Sequence, residues 1–353
     1  MDKKVNFKTI ILVPAQDKLG GVYNFYKNLE SHLDDDVIYF YVGEPKFRFN
    51  NKFIITFIYI FKYIKIIVKL KPQVVVLNTS LNLNAVVRDS LYLLISKIFR
   101  KKVIVFWRGW NFNNEKYLKL PFSIITSLLL KSNKAIVLYS EVKNSLKKMG
   151  YKNEIFQLTT MVGDITFNHV SLEKSSETFD LVFLSRVEIY KGVYELLKAY
   201  VILKEKYSNF RLIIAGKGSE HTALVNYVNE HNIQDVVFAG YVKGDEKNQL
   251  LAMGHLFVFP SYSEGMPNAV LEAMAIGMPI VTTPVGGLND FFVEEDMGSF
   301  IQIKDVNSIV DKVEYLYSNE VLRSSISQNN RIYAKNNFTG QIVYEKLIKL
   351  INI

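Results

Sequence analysis

The sequence predicts an α/β protein made of two doubly wound halves, and three observations lead to this fold class. Short runs of β-branched and other apolar residues recur along the chain, as buried parallel strands require. Segments of helical length and period lie between these runs, and this alternation is typical of βαβ units. The chain has 353 residues, more than a single hydrophobic core usually serves.

The first half contains apolar runs that we interpret as strands. They are Thr9–Val13, Val37–Val42, Val74–Leu77, Val103–Phe106 and Ala135–Leu138. Between them, the spacing of apolar residues predicts helices, among them Val22–Leu33 and Leu83–Phe99. The first half is therefore expected to be a Rossmann-like domain over residues 1–165.

The alternating pattern lapses in the polar, serine-containing stretch Thr166–Thr178, which we interpret as a linker. It resumes over residues 179–335, a second Rossmann-like domain. The strands predicted there are Leu181–Leu184, Arg211–Ala215, Val236–Phe238, Leu256–Phe259 and Ile280–Thr282. From Val306 onward only helices are predicted, and the last of them, 336–353, is expected to pack back on the N-terminal domain.

Composition narrows the class of protein but does not choose its partner. Hydrophobic residues make up 49% and charged residues 22% of the chain, as in ordinary globular proteins. There is no cysteine, which excludes disulfides and thiolate metal sites. The net charge of +9 suits nucleic acid, an anionic membrane surface or a phosphorylated small molecule. The N-terminus lacks the features of a signal peptide, so a cytoplasmic protein is expected.

The most informative stretch runs from Pro260 to Gly277 and follows a predicted strand. Gly265 permits a tight turn, and Pro267 suits the first turn of a helix. The free N–H groups and positive dipole end of such a helix form a natural anion site. Glu264 before the helix can face a sugar, and Glu272 inside it can accept hydrogen bonds from a ribose. Two glutamates at this spacing are also common as solvated surface charge.

This stretch resembles glycosyltransferase family 4, the retaining enzymes with the GT-B fold. The family frame is a Glu-x7-Glu motif flanked by small residues, filled here by Ser261, Glu264, Gly265, Glu272, Ala273, Ala275 and Gly277. The resemblance implies two Rossmann-like domains facing a central cleft, with C-terminal helices. It also implies that Glu264 faces the donor sugar and that Glu272 binds the nucleotide ribose, with Gly265, Met266, Pro267 and Asn268 beside the donor.

A second match to the family is the segment Leu184–Gly192, which follows the first strand of the second half. Arg186 and Lys191 fill the places of two cations that contact the donor diphosphate in the family. When the sugar–oxygen bond breaks, negative charge grows on the leaving diphosphate, and fixed cations stabilise it. The alternative is an exposed pair of cations beside Glu188.

Further segments resemble the family more weakly. The pair Gly20 and Gly21 precedes the first helix, where glycines let a backbone approach a phosphate. Gly216 and Lys217 belong to a Gly-x-Gly segment that helps shape the donor site in the family. Tyr241 and Val242 lie in the segment whose backbone borders the base, and Thr283–Gly287 resembles the loop that closes under the donor.

The first half departs from the family at one position. After the fourth strand, family members commonly carry a histidine near the acceptor, whereas this chain has Arg108. The substitution leaves donor binding intact and changes the expected contact with the acceptor. An arginine there is suited to a phosphate or an acidic sugar.

No metal site and no cofactor are expected. Asp34, Asp35 and Asp36 could suggest the metal-binding aspartates of the other large glycosyltransferase fold, but their place between a helix and a strand of the first half favours a solvated turn. The five histidines show no ligand spacing.

The segment Phe53–Leu70 is strongly apolar and carries Lys62, Lys65 and Lys69 on one helical face. Its longest uninterrupted apolar stretch is far shorter than the ~20 residues that a spanning helix needs. Two interpretations remain, a core helix and a helix that docks on an anionic membrane surface.

The resemblance implies a retaining glycosyltransferase that moves a sugar from a UDP- or GDP-sugar to a carbohydrate acceptor, in particular a lipid-linked intermediate of surface polysaccharide synthesis. The N-terminal domain would bind the acceptor, and the C-terminal domain the donor. One alternative is a nucleotide-sugar-binding protein that has lost catalysis, which Arg108 favours. Another is a nucleotide-sugar epimerase, which would lack the paired cations and glutamates. No nucleic-acid-binding module is recognisable.

Overall fold

The computed structural model describes residues 8–14, 21–43, 52–118, 127–168 and 177–352. Its internal contacts divide the chain into two compact units. Unit 1 comprises Met1–Thr160 together with Gly340–Ile353, and unit 2 comprises Met161–Thr339. The chain thus leaves the first unit near residue 160 and returns to it for its last helix.

Unit 1 is built on a parallel six-stranded sheet with the order β2-β1-β3-β4-β5-β6. The strands are β1 (Thr9–Pro14), β2 (Val37–Val42), β3 (Val74–Ser80), β4 (Lys102–Gly109), β5 (Lys134–Val137) and β6 (Glu154–Gln157). The interior strands are almost wholly buried because helices cover both faces of a doubly wound sheet. The strand order reverses between β1 and β3, which makes the carboxyl ends of these strands a natural ligand crevice.

The helices of unit 1 are α1 (Gly21–Leu29), α2 (Lys52–Leu70), α3 (Leu83–Ile98), α4 (Ser140–Lys148) and, from the end of the chain, α11 (Gly340–Asn352). The last helix lies against the start of the chain. The Tyr344 hydroxyl accepts a hydrogen bond of 2.7 Å from the Asp34 backbone, and His32 bonds Gln341 at 3.1 Å. Residues 336 and 337, which we expected in this last helix, end the preceding one.

Unit 2 contains a second parallel six-stranded sheet, with the order β12-β11-β10-β7-β8-β9. Its strands are β7 (Phe179–Leu184), β8 (Phe210–Ala215), β9 (Val236–Gly240), β10 (Leu256–Phe259), β11 (Ile280–Thr282) and β12 (Gly298–Phe300). All six residues of β7 are buried, as expected of a central strand. The order reverses between β7 and β10, so the loops after these two strands meet at the switch point of the sheet.

The helices of unit 2 are α5 (Val193–Lys206), α6 (His221–Glu230), α7 (Gly244–Met253), α8 (Asn268–Ile276), α9 (Val306–Ser318) and α10 (Glu320–Asn337). Helix α8 is buried over most of its length and follows Pro267, as the sequence predicts. Asp305 and Asn319 cap α9 and α10 through their side chains, which explains the break between these two helices.

Three details of the predicted elements are wrong. The edge strands β6 and β12 do not appear in the sequence analysis, because they have only 4 and 3 residues and partly polar patterns. The first helix ends at Leu29, and a 3-10 turn, Glu30–His32, continues it. The predicted linker begins too early, since Thr166 is buried and bonds Asn248 of α7 at 3.2 Å. Residues 169–176 of that linker lie outside the described residues.

Candidate functional site

The candidate site of unit 2 lies where the loops after β7 and β10 approach each other. The loop after β7 ends at Gly192, whose φ of 72° is left-handed, and the loop after β10 begins at Pro260. A Cβ atom at Gly192 would lie 2.1 Å from the Pro260 carbonyl oxygen, so only glycine permits this approach. The Tyr262 backbone N–H also donates to the Tyr190 carbonyl at 2.8 Å. The two loops are therefore fixed against each other.

Lys191 and Glu264 form an ion pair at this crossing. The Lys191 ammonium donates to Oε1 of Glu264, and the Ser261 hydroxyl donates to the same oxygen at 2.9 Å. Only 9% of the lysine side chain and 14% of the glutamate side chain are exposed. Shielding an ion pair in this way costs hydration of both charges. The pair therefore fixes the positions of the two side chains but is weak evidence that it adds stability. The predicted cation and the predicted sugar-facing carboxylate are thus in direct contact.

Arg186 stands at the start of the same loop and is oriented by Tyr190. Its guanidinium donates a hydrogen bond to the Tyr190 hydroxyl and lies 5.7 Å from the ring centre. Glu188 accepts hydrogen bonds from the hydroxyl and backbone N–H of Ser219, and these lower the pKa of its carboxyl. Glu188 therefore does not form the exposed ion pair with Arg186 that was the alternative interpretation, although its negative charge lies near the guanidinium.

The Gly-x-Gly segment after β8 lies against the loop that carries Arg186. A Cβ atom at Gly216, where φ is 140°, would come within 1.7 Å of the Ser185 carbonyl oxygen. One at Gly218 would lie 2.1 Å from the Val187 carbonyl oxygen. Gly216 also donates to the Gly240 carbonyl at 2.6 Å, which joins the end of β9 to this edge. The two glycines thus serve close backbone packing, and the Lys217 side chain between them is exposed.

The loop after β11 closes beneath Glu264. Gly286 and Gly287 lie against the backbone of Glu264 and Gly265, and the Gly287 N–H donates to the Gly265 carbonyl at 2.7 Å. A Cβ atom at Gly286 would lie 2.2 Å from that same carbonyl oxygen, and φ there is left-handed at 54°. The turn that carries Glu264 therefore packs against a backbone segment in which only glycine fits.

Glu272 lies on α8 and forms an ion pair with Lys247 of α7, at 2.7 Å between Nζ and Oε1. Each side chain is 20% exposed, so the carboxylate remains accessible from one side. On the neighbouring edge, Tyr241 after β9 is exposed, whereas Val242 is buried. Any contact of Val242 with a ligand would therefore use its backbone, as the family resemblance implies.

Comparison with known proteins identifies unit 2. Residues 164–333 match the sequence profile of the family described as Glycosyl transferases group 1. Unit 2 is therefore similar to this family over almost its whole length. Its matched range includes both ion pairs and the three glycine-containing loops described above.

A curated relative of the chain is CapM of Staphylococcus aureus, a capsular polysaccharide biosynthesis glycosyltransferase. The two sequences are 29% identical over 235 residues, which are 66% of this chain and 59% of CapM. The chain thus spans less than two thirds of the length of this relative.

Solved structures resemble the chain over nearly its whole length. HepE of Anabaena, solved in complex with UDP, has a TM-score of 0.80 and 14% identity, covering 98% of this chain and 99% of HepE. A glycosyltransferase of Rickettsia africae has a TM-score of 0.75 and 19% identity, covering 98% of each chain. These structures and the two parallel sheets confirm the predicted α/β GT-B fold.

The remaining predicted site residues belong to unit 1. Gly20 lies outside the described residues, and Gly21 is the first residue of α1. Arg108 lies at the carboxyl end of β4, between the rings of Phe25 and Phe106. In unit 2, Arg186, Lys191, Glu264 and Gly265 lie together with the Gly-x-Gly segment, whereas Met266, Pro267 and Asn268 lead into the helix that carries Glu272.

Sequence analysis missed two residues of this site. Lys247 carries no motif, because its partner Glu272 lies on a different helix and only tertiary packing brings them together. Tyr190 stands between the two predicted cations, and a tyrosine there is uninformative until its contact with Arg186 is known. Among the described residues, no cluster of three or more His, Asp or Glu side chains is arranged to hold a metal ion.

Proposed function

We propose that the chain is a retaining glycosyltransferase that moves a sugar from a UDP- or GDP-sugar to a carbohydrate acceptor. The observation that carries this proposal is the contact of Lys191 with Glu264 at the switch point of a unit that is similar to Glycosyl transferases group 1. One loop supplies cations for a diphosphate, and the other supplies a carboxylate for a sugar. The switch point of a parallel sheet is where such ligands bind.

In the proposed reaction, the bond between the sugar C1 and the diphosphate oxygen breaks. The acceptor oxygen forms the new bond to C1 from the same face, and its proton passes to the departing diphosphate. Negative charge therefore grows on the diphosphate as the bond lengthens, and Arg186 and Lys191 meet that charge. We propose that these two cations do so without a metal ion or other cofactor. Glu264 holds the donor sugar, and Glu272 accepts hydrogen bonds from the ribose.

Two observations support a lipid-linked acceptor in surface polysaccharide synthesis. The relative CapM carries a name from capsular polysaccharide biosynthesis. In unit 1, the helix α2 buries Tyr59, Tyr63 and Ile67, and its opposite side exposes apolar residues. Those exposed apolar residues are Phe57, Phe61 and Val68, at 64%, 64% and 52% exposure.

Lys62, Lys65 and Lys69 are exposed beside this apolar strip. We propose that α2 docks on the inner face of the cell membrane, with its apolar side chains in the acyl boundary and its lysines near lipid phosphates. The core-helix and membrane-docking interpretations of this segment are compatible, because one side of α2 packs in the core and the opposite side would contact lipid. Within the residues that the structure describes, no helix has the length and apolarity that crossing a membrane requires.

An activity assay tests the proposed function. The purified protein is incubated with UDP- and GDP-sugars, with and without acceptor, and release of the nucleoside diphosphate is measured. We expect release that acceptor accelerates, and an α-linked product from an α-linked donor. Nucleotide binding without release of diphosphate would instead support the sugar-binding protein that has lost catalysis.

A further inference from the structure

Arg108 is held in an unusual environment at the carboxyl end of β4. Its guanidinium carbon lies 4.0 Å from the centre of the Phe25 ring and 4.5 Å from that of Phe106. These two rings are nearly perpendicular to each other, at 89°, and their contact with one guanidinium favours the cation. The residue as a whole is half-buried, whereas its NH1 nitrogen is fully shielded. A ligand can therefore reach the side chain only on the side away from NH1.

In the part of the chain that the structure describes, no carboxylate forms an ion pair with Arg108. Burial lowers the pKa of the guanidinium to about 10, so the group remains a cation at neutral pH. The titratable group that acts on it is the Tyr26 hydroxyl, which donates to Asn78 at 2.8 Å. Burial raises the pKa of Tyr26 to about 12, so this hydroxyl stays neutral. Within the described ranges, NH1 of Arg108 has no hydrogen-bond partner.

Three other arginines among the described residues have hydrogen-bond partners, although the side chains of Arg88 and Arg211 are each 37% exposed. Arg211 forms two hydrogen bonds with the Asp180 carboxylate, and Arg88 forms two with Asp89. Arg323 also stacks on a ring, that of Phe179 at 5.2 Å, but its NH1 donates to the carbonyls of Leu316 and Tyr317. A shielded donor without a partner is costly, and more so when it is charged. Arg108 thus has ring contacts like that of Arg323, but its NH1 has no acceptor among the described residues.

The position of Arg108 places it where a parallel sheet binds ligands. Phe25 and Tyr26 belong to α1, the helix after β1, and Asn78 belongs to β3, the strand between β1 and β4. The contacts of Arg108 and Tyr26 therefore gather at the carboxyl side of the sheet, near the reversal between β1 and β3. This is the side on which unit 1 would receive an acceptor.

We propose that Arg108 is an oxyanion-binding residue that selects acceptors carrying a phosphate or carboxylate group. The proposal rests on the proposed function, in which unit 1 binds the acceptor. An oxyanion can accept hydrogen bonds from the N–H groups on the accessible side of this half-buried guanidinium and balance its charge, and a planar guanidinium suits both phosphate and carboxylate groups. The same chemistry arises from a phosphate near a lipid carrier or from an acidic sugar, and the test separates these sources.

The first test measures binding and needs no activity. The chain has two tryptophans, Trp107 and Trp110, whose rings lie 5.0 Å apart beside Arg108 in the sequence. Their fluorescence and the melting temperature are followed while inorganic phosphate or acetate replaces chloride at constant ionic strength. The titration is made in the Arg186→Ala/Lys191→Ala protein, so that the cations of unit 2 do not contribute. We expect a saturable response in both signals.

Arg108→Gln should weaken that response about 10- to 100-fold, the cost of losing a charged hydrogen-bonding partner. Arg323→Gln is the matched control, because it also removes a guanidinium stacked on phenylalanine, and it should leave the response unchanged. If Arg108→Gln does not fold, Arg108→Lys serves instead, since it keeps the cation but lacks the planar fork; it should weaken phosphate binding about 10-fold. An unchanged response in the folded Arg108 variant, or no saturable response to either anion, overturns the proposal.

The second test separates the sources of the oxyanion and uses the transfer reaction. Acceptors are compared in pairs, a hexose with the matching hexuronic acid and a methyl glycoside with the matching glycosyl phosphate. Arg108→Gln should raise the acceptor KM about 10- to 100-fold for the preferred anionic member and leave its neutral partner and the donor KM unchanged. Equal effects on neutral and anionic acceptors would show a merely structural role. If no acceptor is used but the anion titration succeeds, the proposed function fails and the oxyanion site stands.

Discussion

At the scale of single residues, the candidate site depends on two ion pairs, Lys191–Glu264 and Lys247–Glu272. Both are largely shielded from solvent, and charges in such places lose much of their hydration. Their attraction repays that loss only in part, so pairs of this kind contribute little net stability. Their value lies in geometry, because each lysine holds a carboxylate in one orientation before a ligand arrives. Removing one partner should therefore disturb the ligand site and also cost stability, because the other charge is left shielded and unpaired.

The ribose assignment of Glu272 leads to the first prediction. We expect Glu272→Ala to weaken binding of the nucleoside diphosphate by about 1.5–3 kcal/mol, because hydrogen bonds to a charged acceptor are lost. Isothermal titration calorimetry measures this change directly. Glu314→Ala is the matched control, since Glu314 also forms an ion pair with a lysine in unit 2, Lys206 at 2.8 Å. Equal affinity in wild type and Glu272→Ala would remove the ribose assignment.

The second prediction concerns Arg186 and Lys191. Each change to alanine should lower kcat about 100- to 1000-fold, as for other groups that stabilise charge in a transition state, and should raise the donor KM much less. Steady-state kinetics with varied donor separates the two effects. Lys206→Ala removes a lysine from a surface pair and should leave both constants near those of wild type. Variants with normal kcat and a raised donor KM would indicate uniform binding instead.

Sequence motifs predict which residues belong to this site better than they predict the contacts between those residues. Glu264, Arg186 and Lys191 stand in local patterns that strand and loop positions make meaningful. Lys247 carries no local pattern, and it reaches Glu272 only because α7 and α8 pack side by side. The state of Arg108 was equally hidden, since its stacking depends on Phe25 from a distant helix. Pairings between elements are the information that a local pattern does not contain.

At the scale of elements, burial explains which parts of the fold the sequence predicts. Val37–Val42, Leu256–Phe259 and Ile280–Thr282 have the predicted limits, because turn residues and helices bound each apolar run. The strands β6 and β12 are short and lie at sheet edges, where one side lacks a partner strand and the apolar pattern weakens. Helix α2 differs from these edge strands. Its segment is strongly apolar, yet one side of the helix is exposed and is not part of the core.

The exposed side of α2 leads to the third prediction. The protein should bind anionic vesicles reversibly and less at high salt, because lysine–phosphate attraction is screened within a Debye length. Replacing Lys62, Lys65 and Lys69 by glutamine should weaken binding about 100-fold, since each lysine contributes about 1 kcal/mol near an anionic surface. Co-sedimentation at low and high salt provides the measurement.

Two further proteins separate local from general effects of charge in that experiment. The first replaces Lys147, Lys148 and Lys152, exposed lysines elsewhere in unit 1, by glutamine; it changes the net charge equally and should bind nearly as wild type. The second replaces Phe57 and Phe61 by serine and should lose binding to neutral as well as anionic vesicles. A wild-type protein that stays in the supernatant with anionic vesicles at low salt would show that α2 has no role at the membrane.

At the scale of the whole molecule, most residues proposed for the donor and those proposed for the acceptor and membrane fall in different units. The residues proposed for the donor, apart from Gly20 and Gly21, lie in unit 2, whereas Arg108 and the exposed side of α2 lie in unit 1. The chain passes from one unit to the other near residue 160 and returns at Gly340. Donor nucleotides should therefore stabilise unit 2 and acceptors unit 1, and an unfolding experiment can distinguish the two effects.

This division leads to the fourth prediction. A ligand present at 100 times its dissociation constant stabilises the state that binds it by roughly 2.7 kcal/mol. A screen of UDP, GDP and their sugars by differential scanning calorimetry should therefore raise the unfolding temperature, and unit 2 should account for the shift if the units unfold separately. The preferred nucleotide should also raise the unfolding temperature of the Arg108→Gln protein, because that change lies in unit 1, but should raise that of Glu272→Ala much less.

Excess chelator should not reduce the rise in unfolding temperature or the activity, because fixed cations rather than a metal would meet the diphosphate. Loss of either in chelator would reveal a metal ion, and a flat response to every nucleotide would contradict donor binding by unit 2.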